Sequence, residues 1–235
     1  MSPFAGIAGI LLALTLLLGA VKRLQTRRMA GPELARKIVH MGMGVVCLPL
    51  PWIFSEVWLV WALAALAGMA LAALRLVPSI SRSLGSVLHG VQRLSYGELY
   101  FPLSVATVFT LANGNPLLYV VPIALLTFAD AAGALIGKRF GRQRYQTLEG
   151  EKSIEGSLSV CLVALICVAV PLLFVDADVR QIVLIAALLA LFATALEAIS
   201  WQGLDNVFLP LAAYAQLNIY LHAPLNSLFV RLLVF

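Results

Sequence analysis

The stretch LLYVVPIALLTFADAAGALIGKRFGRQR, residues 117–144, decides the fold of this chain. It begins as an apolar run, holds one carboxylate, Asp130, inside that run, and ends in cations at Lys138, Arg139, Arg142 and Arg144. A helix needs about 20 apolar residues to cross a bilayer. An ionisable group within such a helix costs on the order of a few kcal/mol unless it is paired or wetted. The segment therefore reads as a membrane helix that emerges on a basic side, with Asp130 retained near that end for a reason.

The rest of the chain has the same character. Its 235 residues are 62% hydrophobic and 11% charged, against roughly a quarter charged in a soluble domain, and the mean hydropathy is +0.98. That excludes a water-soluble globule, and no polar stretch is long enough to build a soluble enzyme on one anchor. Eight runs can span, at about Phe4 to Val21, Ile38 to Phe54, Val57 to Leu74, Leu99 to Ala112, Leu117 to Ile136, Ser157 to Val175, Gln181 to Ser200 and Val207 to Leu221. The expectation is an all-α polytopic membrane protein of about eight transmembrane helices, forming one domain over residues 1–235. Interfacial amphipathic helices complete it: Ile80, Leu84, Val87, Leu88, Val91 and Leu94 recur at helical spacing, and Ser227 to Phe235 is too short to span. The first run has no basic segment ahead of it, so it reads as a retained helix and not a signal peptide. Cys47, Cys161 and Cys167 lie in apolar runs without a C-x-x-C pair or a Cys/His cluster, which argues against disulfides and zinc.

Charge placement sets the expected orientation. Of the Lys and Arg residues, six fall in 22–37, three in 75–98 and five in 137–156, leaving only Arg180 and Arg231 for the other side. The positive-inside rule then puts the N-terminus outside and the three basic loops in the cytoplasm. With the cations gathered this way, the formal net charge of +5 points to orientation and phosphate holding, not to nucleic acid. Glu33, Glu98, Asp130, Glu149, Glu151, Glu155, Glu197 and Asp205 collect on that same side, and Asp130 and Glu197 sit within apolar runs. Such groups mark function or a helix-to-helix ion pair.

Three blocks carry the chemistry. In the central one, Gly133, Gly137 and Gly141 recur at four-residue intervals, followed by the cations and by Gly150-Glu151-Lys152-Ser153-Ile154-Glu155-Gly156-Ser157 at the start of the next helix. A glycine stripe by itself is a packing face. Beside cations, a helix N-terminus and carboxylates able to hold Mg²⁺, it suggests a polyphosphate site. The spacing is not that of a P-loop, since the glycines are one residue too close and no Ser or Thr follows Lys138. The second block follows Pro32: Glu33, Lys37 and His40, at i, i+4 and i+7, share a helical face, Arg36 and His40 are also four apart, and together they could hold an anion. The third is Glu197, Ser200, Trp201, Asp205 and Asn206, with Pro210 following; there Trp201 reads as an interfacial residue, and Asp205-Asn206 could be a helix cap.

Together these blocks resemble the polyprenol kinase family, which includes dolichol kinase, phytol kinase and the CTP-dependent diacylglycerol kinase and is related to phosphatidate cytidylyltransferases. The resemblance rests on Glu33 with Arg36-Lys37 and His40, on Asp130-Ala131-Ala132-Gly133 with Gly137, Gly141, Lys152-Ser153 and Glu155-Gly156-Ser157, and on Glu197 with Asp205-Asn206 and Pro210. It implies transfer of the terminal phosphoryl group, typically from CTP with a divalent metal, to the hydroxyl of a membrane-dissolved lipid alcohol. The nucleotide loop would map onto Lys138 to Gly156. The Lys-Asp and Pro-Gly-His-Gly-Gly signature of phosphatidate cytidylyltransferases has no match in the chain.

The expected roles follow. Asp130, Lys152, Glu155 and His40 form the catalytic set, with Asp130 and Glu155 on the metal and Asp130 as the base. Lys138, Arg139, Arg142, Gly137, Gly141, Ser153, Gly156 and Ser157 bind the nucleotide. Glu33, Arg36, Lys37, Glu197, Asp205 and Asn206 order the acceptor or the phosphates. Phosphoryl transfer needs in-line positioning and charge neutralisation more than covalent chemistry, so cations at the interface can suffice. A small transporter is the rival reading, weakened because no ionisable ladder crosses the membrane. The identity of the alcohol, CTP against UTP or ATP, and the number of copies, a homo-oligomer included, stay open.

Overall fold

The computed structural model describes residues 3–76, 97–147, 150–175, 177–200 and 203–234. In chain order its elements are α1 (Pro3–Thr26), α2 (Pro32–Cys47), α3 (Leu50–Ile53), α4 (Val57–Leu76), α5 (Gly97–Ala112), α6 (Pro116–Ala124), a π-helical turn (Leu125–Ala129), α7 (Asp130–Phe140), β1 (Arg144–Thr147), β2 (Gly150–Ser153), α8 (Ile154–Leu172), α9 (Val179–Ile199), α10 (Asp205–Leu221) and α11 (Leu225–Val234).

The centre of the molecule is the continuous rod formed by α6, the π turn and α7. Asn115 caps its start by accepting from the Leu117 and Leu118 amides, and Pro116 occupies the first turn, where its missing N–H is no loss. Tyr119, Val121, Ile123, Leu125, Leu126, Ala129 and Ala131 are buried around the whole circumference, as expected of a helix that is apolar on every side. The rod is walled by α2, α5, α8 and α10. Pro122 lies inside it, and the wide turn that follows sets the direction in which Asp130 projects.

Around this rod the helices pair antiparallel. Trp61 Nε1 donates to Thr110 Oγ1 at 3.0 Å and Arg75 reaches Glu98 at 3.1 Å, which aligns α4 and α5 over their length. On α8, Leu158, Leu162, Ile166 and Val170 form an exposed stripe at four-residue intervals, while Val160, Ala164 and Val168 are buried. An exterior this apolar suits lipid and not water. Among the described residues, five helices are long and apolar enough to cross a membrane: Phe4–Thr26, Val57–Leu76, Pro116–Phe140, Ile154–Leu172 and Val179–Ile199. The chain is a multi-pass α-helical membrane protein.

The remaining expected spans are shorter helices. The run from Ile38 to Phe54 is divided, with α2 ending at Cys47 and α3 a single turn, because Pro49 and Pro51 disfavour a continuous helix. α5 has 16 residues and α10 has 17. The first helix extends to Thr26, so Lys22 and Arg23 are helical instead of lying in a loop. One feature departs from an all-helical reading: β1 and β2 pair as an antiparallel hairpin in the register Arg144↔Ser153, Tyr145↔Lys152. Gly150, at φ +120, takes a backbone conformation unsuited to other residues. The amphipathic segment expected over 80–94, together with Glu149 and Trp201, lies outside the described residues. The C-terminal segment forms α11.

Candidate active site

The three sequence blocks meet at one end of the rod. Pro32 starts α2 so that Glu33, Arg36, Lys37 and His40 follow on successive turns. Lys37 is 3% exposed and its Nζ donates to Asp130 Oδ2 at 2.6 Å. His40 Nε2 lies 3.6 Å from the same oxygen but hydrogen-bonds the Leu126 carbonyl at 2.8 Å. A carbonyl only accepts, so Nε2 carries the proton of that bond. Leu126 belongs to the π turn, a local geometry frequent at functional sites. Close approach of α2 to that turn requires Gly44, where a Cβ would collide with the Thr127 side chain.

A second ion pair stands across α7. Lys152 Nζ donates to Glu197 Oε1 at 2.7 Å and also to the Glu197 carbonyl, tying β2 to the end of α9. Glu197 is the neighbour of Gly133, 3.8 Å from where a Cβ on that glycine would stand. Alternation along the hairpin turns Tyr145 and its partner Lys152 to one face, and Tyr145 Oη shares a 2.6 Å hydrogen bond with Ser157 Oγ. Asp205 opens α10 within electrostatic reach of Asp130, Lys37 and Lys152. Beside it, Asn206 is buried with its carbonyl accepting from Ser104 Oγ at 2.5 Å, while its Oδ1 has no partner among the described residues.

At the rim, Arg36 Nη2 donates to Glu33 Oε1 at 2.7 Å. Burial pushes the Glu33 carboxyl up, but the hydrogen bond and charge of Arg36, with Lys37 and Lys138 behind it, outweigh that and hold it below its ordinary value. Asp130, Lys37, His40, Lys152, Glu197 and Asp205 thus form one polar cluster, bordered by Arg36, Glu33 and Lys138.

Other expected site residues have different surroundings. Gly133, Gly137 and Gly156 lie in the seam between α7 and α8: a Cβ on Gly133 would be 2.6 Å from Val160 Cγ2, and one on Gly156 would be 3.1 Å from the Gly137 Cα. Gly141 closes on Ser153, whose Oγ caps α8 by accepting from the Gly156 amide at 3.1 Å. The stripe packs α7 against α8, and the cap takes up the Gly156 amide. Arg139 sits over the Phe140 ring at 5.3 Å, and Arg142 is exposed near Glu155.

The expected metal pair is corrected. Asp130 begins α7, whereas Glu155 Oε1 accepts from the Gln143 amide at 3.3 Å, beyond the far end of that helix. The 11 residues of α7 rise about 16 Å at 1.5 Å per residue, so the two carboxylates cannot share an ion. Among the described residues no three His, Cys, Asp or Glu side chains gather as a metal site, and Asp130 Oδ2 already holds Lys37. Asp130 and Glu155 therefore do not form a joint site for a divalent ion.

Sequence reasoning did not find the hairpin or the Tyr145–Ser157 bond. The Tyr and Thr alternation before Gly150 was the available signal. It also did not foresee that Lys37 would be buried against Asp130, because nothing in one sequence pairs residues 93 apart.

No protein-family model matches the chain, and no solved structure matches it. The chain is 34% identical over 189 residues, 77% of its own length and 76% of the relative's, to a curated protein named phytol kinase from Synechocystis sp.. An identity of that extent, over helices that bring the three blocks to one end of a buried rod, places this chain in the polyprenol and phytol kinase family.

Proposed function

We infer that the chain is an integral-membrane lipid-alcohol kinase that transfers the terminal phosphoryl group of a nucleoside triphosphate, CTP by resemblance, to a prenol-type alcohol such as phytol, geranylgeraniol or a polyprenol. The observation that carries the reading is the convergence on Asp130: Lys37 and His40 from α2, with Asp205 in electrostatic reach, at the junction between an apolar rod and a basic rim. The relative's name supports the prenol acceptor. The basic rim is assigned to the cytoplasm by the distribution of Lys and Arg, which gives the donor access from water and the acceptor access from lipid.

The chemistry divides between the two sides. The acceptor hydroxyl lies at Asp130, which takes its proton as the phosphoryl group moves; Lys37 fixes the carboxylate that does so. His40, oriented by the Leu126 carbonyl, and Asn206 Oδ1, without a partner among the described residues, position that hydroxyl. Arg36, Lys138 and Lys152 neutralise phosphate charge. A divalent cation enters as the nucleotide's own complex, the usual state of Mg²⁺ with phosphates. Purified protein in detergent, given CTP, UTP, ATP or GTP with Mg²⁺ against phytol, geranylgeraniol, a long polyprenol and diacylglycerol, should phosphorylate a prenol, and EDTA should stop it. Phosphorylation of diacylglycerol alone, or no turnover with any pair, refutes the reading.

A further inference from the structure

We propose that the groove between α1, α2, α4 and α5 holds the prenyl tail of the acceptor and that the alanine stripe of α4 sets the tail length it accepts. This rests on the reading of the chain as a prenol kinase and adds where the tail lies.

The groove follows from how the helices pair. α1 packs along α2 and α4 along α5, but α1 and α4 meet only sparsely, and the space between them is a partly open apolar cavity of about 110 Å³. One shared side chain, Phe101, stands between it and the polar cluster. Phe101 lines it and sets its ring edge against His40, with centroids 5.5 Å apart. His40, Met43 and Cys47 succeed one another on one face of α2, the last two lining the groove. The Arg75–Glu98 and Trp61–Thr110 contacts fix the direction of α4, so its Leu74 end lies by Phe101 and its Val60 end lies deepest. Towards the N-terminus of α1, beyond Ile10, Gly6 lets that helix settle on the Phe54 ring, where a Cβ would stand 2.9 Å from Cε1.

The lining states the chemistry of the occupant. Among the lining residues Thr15 alone carries a hydroxyl, and that hydroxyl is bonded to the Leu11 carbonyl at 2.8 Å. Apart from the weak thiol donor of Cys47, the lining offers nothing to an ester carbonyl, so an unfunctionalised hydrocarbon chain suits it. From Leu74 to Val60 the groove runs about 21 Å at 1.5 Å per residue, longer than one leaflet of a core about 30 Å thick. Ala64, Ala67 and Ala70 recur every third residue along it, and their small side chains keep it open. Ala67 stands about 10 Å below Leu74, halfway along.

The test is Ala67→Phe in the full chain, with kcat/KM measured for geraniol and for geranylgeraniol. A block at mid-groove should lower the value for geranylgeraniol about tenfold or more and that for geraniol less than about twofold. Leu66→Phe, on the exposed side of the same helix, should change neither. Equal losses for both alcohols, or no loss, overturn the proposal. A diazirine at the tail end of geranylgeraniol, cross-linked to the wild-type protein and mapped by peptide mass spectrometry, should mark α1 and α4. Labelling confined to the outer stripe of α8 overturns the proposal without reference to activity. If no prenol is phosphorylated but α1 and α4 are labelled, the kinase reading falls and the groove stands; should Ala67→Phe fail to fold, Ala64→Leu and the cross-link decide.

Discussion

At the scale of single residues the strongest constraint is the buried Lys37–Asp130 pair. Removing one partner of such a pair strands a charge, at a cost of about 3–5 kcal/mol. Lys37→Met should therefore lower the unfolding temperature measured by differential scanning fluorimetry, and adding Asp130→Asn to it should restore most of the loss. Asp130→Asn alone should cut turnover by about a hundredfold or more, as expected when a general base is lost, in a protein that still inserts in the membrane. A variant with full activity would remove Asp130 from the reaction. The neighbouring His40 has its Nε2 proton directed to Leu126, so replacing it with Ala should raise KM for the alcohol more than it changes KM for the nucleotide.

At the scale of elements, the seam between α7 and α8 brings Asp130 and Lys152 into one site. Gly133→Ala would drive a methyl group into Val160 Cγ2 and should destabilise the protein by about 1–3 kcal/mol. Val160→Ala on that background should recover part of the loss, and the pair is read by the same thermal assay. The sequence already contained this packing role, since glycines at four-residue intervals suit a close helix pair. The apolar periods of α1, α4, α8 and α9 were equally legible, because run length alone distinguishes a membrane helix. What was not legible depends on distance in space. The hairpin needs Tyr145 to find Lys152, and the separation of Glu155 from Asp130 depends on α7 running straight between them. Neither leaves a local pattern.

At the scale of the molecule, the polar cluster and most of the described cations share one end, Arg180 and Arg231 being the exceptions, and the long helices between the ends present apolar flanks. The positive-inside bias then predicts a definite topology. Single cysteines introduced at Arg144 and at Arg180, in a background without Cys47, Cys161 and Cys167, should differ in labelling by an impermeant maleimide in intact cells. The site at 180 should react from outside and the one at 144 only after permeabilisation. Reversal of that pattern would move the nucleotide to the other compartment. The site blocks were readable in the sequence as residue types, but their convergence required the rod, whose burial brings α2, α8, α9 and α10 to the same end.

The π turn over Leu125–Ala129 also limits how this chain can vary. Each residue advances a helix by about 100°, so deleting one residue there, which would let the rod relax into regular α-helix, swings Asp130 through more than a quarter of a revolution, away from Lys37. A lineage carrying that deletion would keep its hydropathy and its insertion while losing the alignment of its carboxylate. Length in this segment should therefore be guarded more strictly than composition.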